Sequence, residues 1–145
     1  MLYVKSVVKN NLKNTLSPRM FLPAMTRAVK RTADVISDSA INYYKKVRGP
    51  DNGPVSESLI IQSFTFSPTL NSFNSVGGIV YMDLGIAWYG PLVDKGHAHR
   101  NNKGRFKGHH FGEVGRDRGR EVANTILLEE IGKIKGVSKK FSGGK

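Results

Sequence analysis

The chain has 145 residues and a mass of 16.0 kDa, which is the usual size of one domain. It has no cysteine, which excludes disulfides, thiolate metal sites and cysteine nucleophiles, and no apolar run approaches the roughly 18 residues of a membrane span. Its 23 Lys and Arg outnumber 11 Asp and Glu, and the net charge of +12 favours an anionic partner, either nucleic acid or an acidic protein surface.

The distribution of apolar and polar residues predicts a single domain that spans the whole chain. An N-terminal arm is expected over residues 1–16, a core over residues 17–135 and a flexible tail over residues 136–145. Residues 2–8 are rich in valine, which fits either an edge strand or an ordered extension.

A long helix is predicted after the arm, because apolar residues recur every three or four positions. Ser17 is a suitable N-cap and Pro18 a suitable first residue. Alternatively, the helix starts near Leu22, which would place Pro23 in its first turn. The helix is expected to end at residues 49–50, a Gly-Pro pair.

Two strands are predicted next. Residues 51–54 have the composition of a turn, and residues 60–67 then alternate in the manner of a strand. Residues 76–84 form the second predicted strand, and the connection over residues 68–74 is short enough for an antiparallel hairpin.

A second helix is predicted over residues 114–134, where apolar side chains again follow a helical period. Its expected inward face consists of Val122, Ala123, Ile126, Leu127, Ile131 and Ile134. The order of elements predicts an α+β fold, in which the long N-terminal helix and the C-terminal helix pack on a small antiparallel sheet.

Between the second strand and the second helix, residues 96–112 predict a long, exposed, basic loop. Loops of this length in compact domains are usually functional or mobile. Phe106 and Phe111 could stack on the bases of single-stranded nucleic acid, but we favour the interpretation that they anchor the loop to the core. The cations expected to face DNA or an acidic partner are Lys95, Arg100, Lys103, Arg105 and Lys107.

The histidines of this segment do not predict a metal site or a nuclease. His97 and His99 belong to a glycine-rich loop, which does not hold metal ligands in a fixed arrangement, and the adjacent His109 and His110 would point to opposite sides of an extended chain. An HNH nuclease needs a hairpin between its histidine and its asparagine, whereas Asn101 is only two residues after His99. No phosphate-binding glycine motif or catalytic triad is recognisable, so we expect no catalytic, metal or cofactor-binding residues and no enzyme activity.

The segment that ends in this loop carries a recognisable motif, Tyr89-x-x-x-Val93-Asp94-x-Gly96, and His110-Phe111 then leads into the second predicted helix. This pattern resembles the small head–tail joining proteins, also called tail-completion or neck proteins, of long-tailed double-stranded DNA phages. The order of a long helix, a Ser/Leu segment, two strands and a C-terminal helix is also similar to that family.

The resemblance implies a structural protein of the virion rather than an enzyme. It implies a homo-oligomeric ring in the neck, in contact with a portal or head-closure protein and with a tail-tube or tail-terminator protein. Double-stranded DNA would pass through without sequence-specific contact, no membrane is involved, and assembly would occur in the host cytoplasm. Trp88 is then either an interface residue or part of the core. The alternative function is a basic nucleic-acid-binding accessory protein.

Because the predicted elements need their apolar faces for the core, we expect assembly to depend on the basic loop and the termini. A preformed large apolar face is not expected from the sequence.

Overall fold

The computed structural model describes residues 2–7, 18–48, 54–72, 75–98 and 104–134, and it confirms the predicted α+β class. The helices are α1 (Pro18–Arg48), α2 (Pro54–Ser63), α3 (Gly90–Lys95) and α4 (Phe111–Gly132). The strands are β1 (Leu2–Val7), β2 (Phe64–Ser72), β3 (Ser75–Met82), β4 (His97–Ala98) and β5 (Arg105–Phe106). The predicted tail, residues 136–145, and the second half of the predicted arm lie outside the described residues.

The main sheet has three antiparallel strands in the order β1-β3-β2. Leu2 pairs with Val80, so the N-terminal residues form an edge strand, as one of the two sequence interpretations predicted. On the other side of β3, Phe64 pairs with Met82. The second strand therefore ends at Met82 rather than at the predicted residue 84.

The long helix α1 starts at Pro18 and continues through Pro23. Pro23 lies near the N-terminal end of the helix, and its side chain is exposed. One face of α1 is buried along almost the whole length of the helix. Its buried apolar residues are Phe21, Ala24, Met25, Ala28, Val29, Ala33, Ile36, Ala40 and Tyr44.

The sequence prediction was wrong for residues 60–63, which belong to helix α2 instead of a strand. Ile60 is 1% exposed and packs in a cluster with Tyr44 and Phe111. The buried hydroxyl of Ser63 donates a hydrogen bond of 2.7 Å to the carbonyl of Ile60, which closes the last turn of the helix. A short apolar run does not distinguish a buried helical turn from a strand, and the alternation is real only from Phe64 onward.

Helices α1 and α4 pack unusually closely because glycines face α1. A Cβ atom added at Gly115 would lie 2.5 Å from the carbonyl oxygen of Ile36. One added at Gly119 would overlap the side chain of the same isoleucine. Of the predicted apolar face of the helix, Ile126 is buried and the other residues are half-buried. The helix also begins three residues earlier than predicted, at Phe111.

Candidate assembly interface

The motif residue Asp94 connects the end of α3 to the start of α4. Its side chain is buried, and Oδ1 accepts a hydrogen bond of 2.9 Å from the backbone N–H of Gly112. Its backbone carbonyl accepts a second bond of 2.9 Å from the N–H of His110. His110 occupies the N-cap position of α4 but makes no capping bond with its side chain. The carboxylate of Asp94 therefore caps the helix from another element, where its charge also interacts favourably with the helix dipole.

The motif glycine Gly96 lies against a second glycine, Gly108, on the returning chain. Both residues have a positive φ, of 83° and 80° respectively, in the region that favours glycine. A Cβ atom on Gly96 would overlap the backbone of residues 106–108, and one on Gly108 would overlap the backbone of residues 94–96. The two backbone segments can approach this closely only because both residues at the contact are glycines.

A row of aromatic rings links this crossing to the core. From the core outward the rings are Phe64, Phe111, Tyr44, His109, Phe106 and His97, with neighbouring centroids 5.1 to 6.0 Å apart. Phe111 is fully buried, whereas Phe106 is half-buried. This packing favours the interpretation that both phenylalanines anchor the basic segment.

The prediction of an exposed loop over residues 96–112 was wrong for part of the segment. Strands β4 and β5 form a short antiparallel hairpin in which His97 pairs with Phe106, and the last two residues begin α4. The backbone hydrogen bonds and the aromatic row supply order that the glycine content did not predict. Of the predicted contact cations, Lys95, Arg105 and Lys107 are exposed on the surface, whereas Arg100 and Lys103 lie outside the described residues.

Next to the motif, a turn between β3 and α3 exposes apolar side chains to solvent. We call this surface the apolar turn; it consists of Leu84, Ile86 and Trp88 of the turn and Leu92 of α3. Trp88 is 70% exposed and therefore does not belong to the core. Of its two predicted positions, a place in an interface stays a prediction. The fully buried Ala87 holds the turn in place through hydrogen bonds to Asp83 and Gly90. Assembly that depends on the basic loop and the termini, and not on a preformed large apolar face, stays a prediction.

A pocket of about 280 Å³ opens beside the joint between Asp94 and α4. Its apolar walls come from strands β2 and β3 and from the first residue of α4. They include Phe64, Val80, Met82 and Phe111. The charged and polar residues of its lining include Asp94, Lys95, His110, Glu113 and Arg116. These residues come from four parts of the chain, and no spacing in the sequence indicated that they would meet.

Sequence analysis also missed a buried charge between the two long helices. Glu130 is 1% exposed and accepts hydrogen bonds from Arg27 at 2.8 Å, Arg31 at 2.7 Å and Lys133 at 2.6 Å. The bond from Lys133, followed by those from the two arginines, lowers the pKa of Glu130 to about 2. The only sequence signal was an acidic residue four positions after Ile126, on the face that packs against α1. The arrangement connects the helices and has no evident chemistry.

Among the described residues, no group of three or more His, Asp or Glu side chains could hold a metal ion. None of the helices in that part of the chain is long and apolar enough to cross a membrane. No protein-family model matches the sequence, and neither a curated protein nor a solved structure shows significant similarity to it.

Proposed function

We propose that this protein is a structural subunit of a phage neck, which forms a ring and joins the head to the tail around the DNA path. The observation that carries the proposal is that the five motif residues belong to one joint. Tyr89 and Val93 pack against the cluster that contains Phe111, and Asp94 caps the helix that Phe111 begins. Gly96 permits the backbone crossing beside them. Because the motif is short and degenerate, its residues support the resemblance better when they lie together in the structure than they would if they were far apart.

The chemistry of the joint fits a structural role. The carboxylate of Asp94 is buried and engaged as a helix cap, and the ring of Phe111 is fully enclosed. Neither side chain is therefore presented to a substrate. The residues of the motif position an element instead of performing a reaction.

Two exposed surfaces beside the joint suit assembly. The apolar turn places four exposed apolar side chains close together in the sequence, which suits an apolar contact with a partner. The exposed cations Lys95, Arg105 and Lys107 suit the DNA that passes through or an acidic neighbouring ring. The proposed protein partners are a portal or head-closure protein on one side and a tail-tube or tail-terminator protein on the other.

The same exposed cations favour the second candidate, a basic nucleic-acid-binding accessory protein. Base stacking gives it less support, because the ring of Phe106 already lies between His97 and His109 at centroid distances of 5.6 and 5.3 Å. The candidates differ in where the protein resides at the end of infection.

The location of the chain in purified phage particles tests the proposal. Particles that carry an epitope tag on the C-terminal residue should bind gold-labelled antibody at the junction of head and tail, in several copies per particle. Untagged particles, which should bind no antibody, provide the control. Absence of the chain from purified particles, together with its recovery on intracellular DNA, would favour the accessory protein.

A further inference from the structure

The lysine and arginine side chains of the described residues divide into two sets, those with an acidic partner and those without one. The paired set consists of Arg27, Arg31, Arg116, Arg118, Arg120 and Lys133. The cations that form no ion pair within the described part of the chain are all exposed; they are Lys30, Lys45, Lys46, Lys95, Arg105 and Lys107.

All of the unpaired cations except Lys30 lie at one end of the molecule. The ring of Tyr44, in the last turn of α1, is 5.9 Å from the ring of His109. The ring of His109 is in turn 5.3 Å from that of Phe106 in β5. These contacts hold the C-terminal end of α1 beside the hairpin of β4 and β5. We call this surface the basic end; it consists of Lys45, Lys46, Lys95, Arg105 and Lys107.

The cations of the hairpin point away from the protein. Side chains alternate between the two sides of a strand, and Phe106 packs against His109. Arg105 and Lys107, on either side of Phe106, therefore project to solvent, and both are exposed.

Two acidic side chains lie close to the basic end, but they balance only part of its charge. Asp94 is buried as the cap of α4, and Glu113 lies 3.9 Å from Nδ1 of His110. Both line the pocket together with Lys95, so charges of both signs meet there. The excess of positive charge therefore belongs to the end of α1 and to the hairpin.

We propose that the basic end binds an acidic segment of a partner protein, and that this segment also carries apolar side chains. The inference rests on the proposed function, because it names the chemistry of one of the partners that a neck protein must hold. Opposite charges across an interface steer the partners together and exclude surfaces of the same sign.

The apolar residues beside the basic end favour a protein over DNA. Leu92 is 41% exposed and precedes Lys95 by three residues in α3, so the two side chains share one face of this helix. The phosphate backbone of DNA offers no apolar group to such a leucine. Base stacking on the hairpin has little support either, because the ring of Phe106 lies between His97 and His109.

Fluorescence anisotropy of the full-length protein with three labelled probes tests the proposal. The first probe is a glutamate peptide with leucine at every fourth position, and the second has serine in place of leucine. The third is a DNA duplex of similar length. At physiological salt the leucine peptide should bind more tightly than the serine peptide, and both more tightly than the duplex.

Charge reversals locate the binding surface. Lys46→Glu and Lys107→Glu should each weaken binding of the leucine peptide about three- to tenfold, since each replaces an attraction by a repulsion. The matched control is Lys30→Glu, another exposed lysine of α1 that forms no ion pair within the described residues. Lys30 lies about 24 Å from Lys46 along the helix, at about 1.5 Å per residue, so this variant should bind as the wild type does.

A leucine substitution tests the apolar part of the contact. Leu92→Ala should weaken binding of the leucine peptide about threefold and leave the serine peptide unaffected, because less than half of the leucine side chain remains to be buried. Leu128→Ala, at a leucine that is 60% exposed on α4, should change neither. Circular dichroism checks that each variant keeps the fold.

The proposal is overturned if the duplex binds at least as tightly as the leucine peptide, which would assign the basic end to nucleic acid. It is also overturned if Lys30→Glu loses as much affinity as Lys46→Glu, or if the two peptides bind equally well. These failures would leave the neck function standing if the chain is found at the head–tail junction. Conversely, binding of the leucine peptide would stand even if the chain were absent from particles.

Discussion

The carboxylate of Asp94 accepts a hydrogen bond of 2.9 Å from the backbone N–H of Gly112, eighteen residues later in the chain. A Cβ atom at Gly112 would lie 2.7 Å from the other carboxylate oxygen, so the glycine is as necessary as the acid. This pair sets where α4 begins, and α4 in turn supplies Glu113 and Arg116 to the pocket. The motif therefore determines the position of the α4 residues that line this pocket.

Replacement of Asp94 by alanine should destabilise the protein by about 1–3 kcal/mol, because a buried N–H group loses its partner. Asp94→Asn, which retains an acceptor oxygen, should lose less. Urea unfolding followed by circular dichroism measures both changes. Asp38→Ala, at an exposed position on α1, provides the comparison. A loss in Asp94→Ala no larger than that in Asp38→Ala would contradict the capping role.

Alanine substitutions at two glycines of α4 should change the stability of the protein in opposite directions. Gly115→Ala should destabilise the fold by about 1–3 kcal/mol, because the new methyl group overpacks the contact with Ile36. Gly132→Ala should be neutral or stabilising by up to about 1 kcal/mol, because that position has open space and alanine favours a helix. Thermal unfolding of the two variants tests the close approach of α1 and α4. A melting temperature that falls equally in both would show that the helices are not in close contact.

Glu130 predicts how stability depends on pH. Its pKa is about 2 in the folded protein, below the ordinary value of 4.5, so the unfolded chain binds more protons between these limits. The stabilisation from this carboxylate is therefore complete above about pH 4.5 and is lost as the pH falls through about 2.

Unfolding of Glu130→Gln at a series of pH values checks this dependence. The variant should be less stable than the wild type at pH 7, and the difference should narrow as the pH falls below 4.5. Glu129→Gln serves as the control, since Glu129 is 51% exposed and, within the described residues, bonds only to Arg31. A difference between Glu130→Gln and wild type that is constant over this range would contradict the assignment.

The basic segment predicts different results for its two possible partners. Replacement of Arg100, Lys103, Arg105 and Lys107 by glutamine would reduce the slope of log K against log salt by about 3.6 on duplex DNA, from about 0.9 per phosphate contact. We expect instead that duplex binding is already weak at physiological salt and that the four changes impair head–tail joining, because a neck must let DNA slide. Filter binding and particle counts measure the two effects. Nanomolar duplex binding by the wild type, abolished by the four changes, would favour the accessory protein.

The sequence predicts the two long helices well, but it does not predict the surfaces and contacts that depend on distant parts of the chain. The periods of α1 and α4 were visible because their apolar residues recur along one element. Helix α2 was missed at Ile60 because its last turn continues the alternation of β2. Gly115 and Glu130 were missed because their roles depend on α1, which lies far away in sequence. The pocket has no local signature at all, since strand and helix residues meet there only after folding.

The measurement that tests the central claim most directly is electron microscopy of a phage lysate in which the gene for this chain carries a stop codon. The neck function predicts DNA-filled heads and complete tails that remain separate, with joined particles restored when the intact chain is supplied in trans. A lysate that contains normal joined particles without this chain would contradict the neck function.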